Sequence, residues 1–122
     1  MALAAVVTDL IFSTKIIAEA RARKRTVKVL RSFSAMEKYL LSTPPDMLIV
    51  DLNCGGINGV SAIALAKQTV PPCKVLAYFS HVQAELAQQA GAAGADQVVP
   101  RSQFVKLLPD LVKNYADAVV PS

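Results

Sequence analysis

A three-layer α/β sandwich, in which a parallel sheet carries helices on both faces, is the fold this sequence predicts, and three observations carry that expectation. Short, nearly continuous apolar runs recur along the chain, apolar stripes at helical spacing fill the intervals, and two of those intervals open on helix-capping signatures. Strands buried on both faces read as unbroken apolar runs. Parallel neighbours also need a crossover of about a dozen residues, which a helix supplies.

The first run, Ala2 to Thr8 (ALAAVVT), suits a strand buried on both sides, whereas Thr26 to Leu30 (TVKVL) alternates as a more exposed strand does. Met47 to Leu52 (MLIVDL), Lys74 to Phe79 (KVLAYF) and Gln97 to Val99 (QVV) complete a set of five. Between them, Phe12, Ile16, Ile17 and Ala20 form one helical stripe, and Ala35, Met36, Tyr39 and Leu40 a second. Ile63, Ala64 and Ala66 form a third, which Pro71-Pro72 prevents from continuing. Ser34 to Glu37 and Ser80 to Gln83 match the capping box, in which a serine oxygen accepts from an orphan amide and the residue three positions on reaches back. Helices are expected to start at both serines. The last stripe, Phe104, Leu107, Leu108, Leu111, Val112 and Tyr115, contains Pro109, which either bends that helix or marks its true start.

With 122 residues, 53% hydrophobic and 18% charged, the chain can bury a core of one domain, so neither a two-domain enzyme nor a disordered tail is expected. Residues 1–122 read as a single domain, with a linker beginning at about 118–122, where Pro121-Ser122 lies. Asp9 and Lys15 interrupt the richest apolar stretch, Ala2 to Ala18, before it reaches the roughly 18 residues of a spanning helix. The same stretch lacks a basic leader and a small-residue cleavage site, so a cytoplasmic protein is expected. Cys54 and Cys73 make no metal-binding spacing with the single His81 and read as ordinary thiols.

In an open parallel sheet, ligands gather beyond the carboxyl ends of the strands. The residues there are Thr8-Asp9, Asp51-Leu52-Asn53, Phe79-Ser80-His81 and Pro100-Arg101-Ser102, which puts two carboxylates on one rim. Asp51 inside an apolar strand is costly unless hydrogen-bonded, paired or metal-bound, and Asp9 nearby raises one of the two pKa values if both stay bare. A divalent cation resolves that conflict. Mg2+ suits the site because it accepts one or two carboxylates, keeps several waters and leaves room for a phosphoryl oxygen. The competing reading has Asp9 capping the first helix and Asp51 at a solvated strand end.

The succession of Thr8-Asp9, then Asp51-Leu-Asn-Cys-Gly-Gly-Ile-Asn58-Gly59, then Val75 to His81, then Ala93-Gly94-Ala95-Asp96 resembles a response-regulator receiver domain over roughly Leu3 to Lys113. The resemblance implies a CheY-like, flavodoxin-like (βα)5 fold with strand order 2-1-3-4-5. It implies a phosphoacceptor in two-component signal transduction at Asp51 and a Mg2+ shared by Asp51, Asp9 and the backbone carbonyl of Asn53. Asn58 and Gly59 fall where that family carries an Asp/Asn-Gly pair, seven and eight residues after the acceptor.

Several positions depart from the pattern. Thr8 takes the place of the first acid and removes a charge from the cation site. The family's switch hydroxyl aligns with Phe79; Ser80, one residue later, is the candidate in its stead, although its place in the capping box competes for its oxygen. Arg101 stands for the family's lysine, unless a gap puts Pro100 there and leaves no cation, and Val98 replaces the aromatic of the fifth strand. The chain thus resembles an atypical receiver or, as the alternative, a phosphorylation-independent pseudo-receiver. On either reading it is not an enzyme beyond autocatalytic phosphoryl transfer to Asp51. The implied partner is a histidine kinase or another signalling protein of a phosphorelay. It would dock on the fourth helix, fifth strand and fifth helix, where Val82, Leu86, Ala87 and Ala90 to Ala95 leave a flat, weakly charged surface that also suits a homodimer.

Six of the 13 basic residues lie between Arg21 and Arg31, in a chain of net charge +4. Basic residues near a helix carboxyl end complement its macrodipole, and no aromatic between Arg21 and Arg31 is present to stack on bases, so nucleic-acid binding is not expected. The architecture also permits a nucleotide- or flavin-binding protein. Against that stand the lack of a G-x-G-x-x-G after the first strand and of a Walker pattern, with Gly55-Gly56 better read as turn residues. His81 and Cys54 come from different strand ends and have no third group to orient them, so they make no nucleophilic pair.

Overall fold

Every residue of β1 (Leu3–Val6) and of β4 (Met47–Asp51) is buried, because the two strands lie side by side at the centre of a parallel sheet with helices packed on both faces. The structure, a computed structural model, describes residues 2–42, 44–69, 72–80, 84–115, 117 and 118. Between β1 and β4 the chain forms α1 (Leu10–Ala22), β2 (Arg25–Thr26), β3 (Lys28–Leu30) and α2 (Phe33–Ser42). After β4 come α3 (Gly59–Lys67), β5 (Lys74–Phe79), α4 (Ala84–Ala92), β6 (Gln97–Pro100), α5 (Arg101–Tyr115) and β7 (Asp117–Ala118). The main sheet has the order β3-β1-β4-β5-β6, all parallel, which is the 2-1-3-4-5 order of a flavodoxin-like fold.

Alternation along the strands divides the core in two. Leu3, Ala5, Val7, Met47, Ile49, Leu76 and Tyr78 face the layer of α1 and α5, where Phe12, Ile16, Ala20, Phe104, Leu108 and Val112 meet them. Ala4, Val6, Leu48, Val50, Val75 and Ala77 face the other layer, which Met36 and Leu40 of α2, Ala62, Ile63 and Ala66 of α3 and Ala90 of α4 cover. Among the described residues, no helix is long and apolar enough to cross a membrane.

Two local expectations change, and the places of Pro109 and Ala118 are fixed. Thr26 to Leu30 is not one strand: Arg25–Thr26 turns away to pair antiparallel with Asp117–Ala118, and only Lys28–Leu30 joins β1. The turn that permits this passes through Lys24, whose φ of 56° is the one positive φ at a described non-glycine residue. The cap of α2 is Ser32 rather than Ser34, since the Ser32 hydroxyl accepts from the Ala35 N–H at 3.1 Å and its carbonyl from the Met36 N–H at 3.0 Å. Pro109 lies inside α5 and does not begin it. Ala118, where a linker was expected, is paired in β7, and 119–122 lie outside the described residues, as do His81, Val82 and Gln83 of the second capping box.

The Ala93-Gly94-Ala95-Asp96 segment is a structural latch. The Lys67 ammonium donates to Asp96 Oδ2 at 2.6 Å and to the Cys73 carbonyl at 3.0 Å, while the Val75 N–H donates to the same Asp96 oxygen at 2.7 Å. Burial by itself would raise the Asp96 pKa, but these donors outweigh it and hold the carboxyl below its ordinary range. Gly94, at φ +113°, lets the Lys67 stem pass; a Cβ there would stand 2.9 Å from Lys67 Cγ. Gly94→Ala should therefore destabilise by about 1–3 kcal/mol. Gly91→Ala, where a Cβ meets open space in a helix, should stabilise by about 0.5–1 kcal/mol. Urea unfolding of the two variants beside the parent protein checks both signs.

Candidate functional site

The carboxyl ends of β1, β4, β5 and β6 surround a depression of about 520 Å3 lined by Thr8, Asp9, Asp51, Asn53, Gly55, Ser80 and Arg101. Each of the expected site residues, Asp9, Asp51, Asn53, Ser80 and Arg101, is on that wall. The basic cluster is not on it: α1 carries the chain back to the amino rim, so Arg21 to Lys28 lie away from the depression, Arg31 follows β3 at the sheet edge and does not line it, and Arg23 pairs with Glu19 at 2.8 Å.

Asp9 is the N-cap of α1, where its carboxylate accepts from the Phe12 N–H at 3.1 Å. This half of the competing reading holds, and it is compatible with Asp9 also facing the depression. The other half fails, because Asp51 is only 7% exposed and is not a solvated strand end. Asp51 Oδ1 accepts from the Asn53 N–H at 2.9 Å, and the Asn53 side-chain oxygen accepts from the Ser80 N–H at 2.7 Å, so one asparagine ties the loop after β4 to the end of β5. Gly59 makes the tight loop possible. A Cβ there would lie 3.2 Å from Leu52 Cα and 3.3 Å from the Asp51 carbonyl oxygen, and Asn58 just before it caps α3 by accepting from the Ser61 N–H at 3.0 Å.

Phe79 and Ser80 separate as strand alternation requires. Phe79 packs toward the α2–α3–α4 layer, and Ser80 reaches the depression. Ser80 is thus at the site. Pro100 ends β6 opposite Phe79, and Arg101 lines the depression with its guanidinium carbon 5.0 Å from the centre of the Phe12 ring, a cation–π contact. Cys54, half-buried, donates its thiol to the Thr8 hydroxyl at 3.3 Å, and buried Cys73 has its thiol pKa pushed up by burial.

One residue that the sequence reading passed over completes the site from below. Tyr78 lies directly across from Asp51 in the β4–β5 register, 1% exposed, with its ring stacked on Phe104 at 4.5 Å and tilted against Phe12 at 5.3 Å. A tyrosine one residue before the strand end, on the same pleat face as an acid, was the signal available. Burial first, then the neighbouring Asp51 carboxylate, pushes the Tyr78 hydroxyl far above its ordinary pKa, so it keeps its proton.

The donor set is all hard oxygen: two carboxylates, a hydroxyl from Thr8, and Asn53. Among the described residues no group of three or more acids, histidines and cysteines is placed to hold a metal ion, so a divalent cation at this rim would meet two carboxylates, one charge fewer than a three-acid cluster would provide.

No known family profile matches the sequence. Solved structures do match the fold. The signal receiver domain of a DNA-binding response regulator from Colwellia psychrerythraea 34H superposes with TM-score 0.76 at 17% identity, covering 93% of this chain and 99% of that one. The fold is that of a response-regulator receiver domain. The Mn(2+)-bound form of response regulator Rcp1 superposes with TM-score 0.76 at 14% identity over 99% of both chains. A Burkholderia pseudomallei response regulator with a phosphorylated aspartic acid, calcium ion and citrate gives 0.74 at 19% identity, covering 92% of this chain and 68% of that one. On this receiver fold, the face expected for partners is only partly open: Leu86 and Val98 pack against the inner cluster, whereas the largest exposed apolar side chains include Leu10 and Ile11 of α1 and Leu41 of α2.

Burial raises the Asp51 pKa, with a smaller push from Asp9, and outweighs the Asn53 N–H, Arg101 and Tyr78, which all favour the charged form. Because the folded value lies above the unfolded one, ionising Asp51 costs the native state. That cost is absent below about pH 3.9 and complete once the pH passes the folded value. Asp51→Asn, which keeps the shape and removes the charge, should therefore raise the melting temperature at neutral pH without divalent cations. The gain should disappear as the pH falls below about 4, read by a pH series of thermal melts.

Proposed function

We propose that this protein is an atypical receiver module of two-component signalling, switched by phosphorylation of Asp51 and acting through protein contacts. The observation that carries the reading is the gathering of Asp9, Asp51, Asn53, Ser80 and Arg101 around one depression at the carboxyl rim of a receiver fold. Asp51 is the nucleophile. Its carboxylate oxygen forms a bond to the phosphorus of a phosphohistidine or a small acyl phosphate, the bond from phosphorus to the donor breaks, and the electron pair leaves on the donor nitrogen or oxygen. Catalysis extends no further than this self-modification.

Asp51, Asp9 and the backbone carbonyl of Asn53 would hold a Mg2+, with Thr8 able to bind one of its waters, and the bound ion would offset the two carboxylates and the incoming phosphoryl charge. Arg101 supplies the cationic group that faces a phosphoryl group on Asp51. Its guanidinium is a broad fork seated on Phe12, so it presents charge over a plane where an ammonium would present a point. Ser80 supplies the hydroxyl at the rim, on a strand end that Asn53 already tethers.

A second reading, a phosphorylation-independent platform, has its own support in Thr8 at the place of an acid and in Phe79 turned to the opposite layer. Incubation with acetyl phosphate and Mg2+ separates the two. The first reading expects a phosphoryl mass on the intact protein, abolished by Asp51→Ala; no added mass at saturating Mg2+ leaves the platform. Thr8→Asp, which restores a third carboxylate, should tighten Mg2+ binding by about tenfold, or ~1.4 kcal/mol, in a calorimetric titration.

A further inference from the structure

Among the described residues, one buried side-chain polar atom makes no well-formed hydrogen bond, the hydroxyl oxygen of Tyr78, although it lies near enough to the Asp51 carboxylate to favour its charged form. Buried hydroxyls left without a partner cost about 1–3 kcal/mol, so a native fold retains one where the group has a use. The ring cannot swing to find another acceptor. Phe104 is stacked on it with planes only 10° apart, Phe12 meets it at 49°, and Phe12 and Phe104 are themselves 5.8 Å apart, so the hydroxyl is aimed from a closed aromatic cluster. What it faces is Asp51, its register partner on the adjacent strand and on the same side of the sheet.

We propose that Tyr78 is the positioning residue of Asp51: its hydroxyl donates a hydrogen bond to the carboxylate from beneath the site and fixes the plane in which the reactive oxygen is presented. The terminal torsion of an aspartate is broad, so a modest rotation of the Asp51 carboxylate closes the contact at less cost than leaving the hydroxyl unmade. The Asn53 N–H holds the same carboxylate from the loop side at 2.9 Å. With donors from loop and core, the group is constrained in two directions and need not be ordered at the moment of reaction. The aromatic that would stand on the edge strand β6 is Val98 here, and the aromatic that faces the acid is on β5, one strand nearer the centre.

This inference deepens the reading of Asp51 as the reactive group, but its test uses unmodified protein, so a failure of phosphoryl labelling and a failure here are separate results. Thermal melts of the full chain, without divalent cation at neutral pH, are compared for the parent, Tyr78→Phe, Asp51→Ala and the double variant. If the pair forms, Tyr78→Phe lowers the melting temperature while Asp51 is present and raises it once Asp51→Ala has removed the acceptor, the two shifts differing by about 3 °C or more. Equal shifts in the two backgrounds overturn the proposal. Should Asp51→Ala not fold, Asp51→Asn, a weaker acceptor of the same shape, takes its place with the same sign of coupling. A purely structural tyrosine would not move the second readout: the Raman Fermi doublet of Tyr78, isolated as the parent minus Tyr78→Phe difference. It should report a strong donor in the parent and a weaker one in the Asp51→Asn protein, where a neutral amide replaces the carboxylate. A non-bonded hydroxyl in the parent overturns the proposal as well.

Discussion

To keep a carboxylate charged at the end of a fully buried strand of a sheet, a protein must replace the water it has removed, and the arrangement around Asp51 follows from that requirement. The strand cannot move, because β1 and β5 hydrogen-bond to it on both sides. The replacement groups therefore come to the acid. Asn53 brings a backbone N–H from the loop, Arg101 brings a positive charge from the first residue of α5, and Tyr78 brings a hydroxyl from the core. Their combined effect is weaker than burial, since the Asp51 pKa still sits above its ordinary value. A site left in deficit in this way gains from any cationic ligand that enters, which is a physical reason for it to bind one.

Structural and chemical duties overlap in these residues. Asp9 caps α1, a contribution of about 1 kcal/mol, and the same carboxylate borders the depression and adds to the repulsion on Asp51. Arg101 begins α5 and rests on Phe12, which in turn packs on Tyr78 and Phe104. Asn53 bridges Asp51 and the end of β5. The two readings of Asp9 that the sequence leaves open, helix cap and site acid, are thus not exclusive, because a cap at the first helix of a parallel sheet is by geometry at the ligand-binding rim.

The parallel sheet covered on both faces and the rim that carries the candidate site were legible because both depend on signals a single chain carries, unbroken apolar runs and polar residues immediately after them, whereas the strand order followed only from the resemblance to a receiver domain. Asp51 stood out for that reason, as an acid closing MLIVD. Other features depend on partners far away in the chain. Thr26 looked like the start of an alternating strand, and nothing near it announces Asp117 and Ala118, at the far end of the described chain, as the segment that draws it and Arg25 off. Ser32 and Ser34 flank Phe33, and the local capping pattern favours Ser34 through Glu37. Ser32 takes the cap, and the helix it opens lays Met36 and Leu40 on the sheet, a tertiary fit that the local pattern does not carry. The place of Tyr78 one residue before the end of β5 was visible, but its pairing across from Asp51 depends on the β4–β5 register and the state of its hydroxyl on the packed core, neither of which spacing within one strand fixes.

The departures from the receiver pattern are coherent once the faces of the sheet are known. Phe79 turns into the layer of α2, α3 and α4, and Val98 leaves the edge strand without an aromatic, so neither side chain stands beneath Asp51. The groups that flank the acid from below, Tyr78, Phe12, Phe104 and Arg101, all belong to the opposite layer, between the sheet and the α1–α5 pair. A cluster of three rings at centroid separations of 4.5 to 5.8 Å is close-packed and transmits displacement instead of absorbing it. The exposed Leu10 and Ile11 stand on the first turn of α1, directly after Asp9 and beside Phe12 in sequence. The acid, the cap and the aromatic cluster therefore lie on one side, and the layer that carries α2 and α3 is separated from them by the sheet itself.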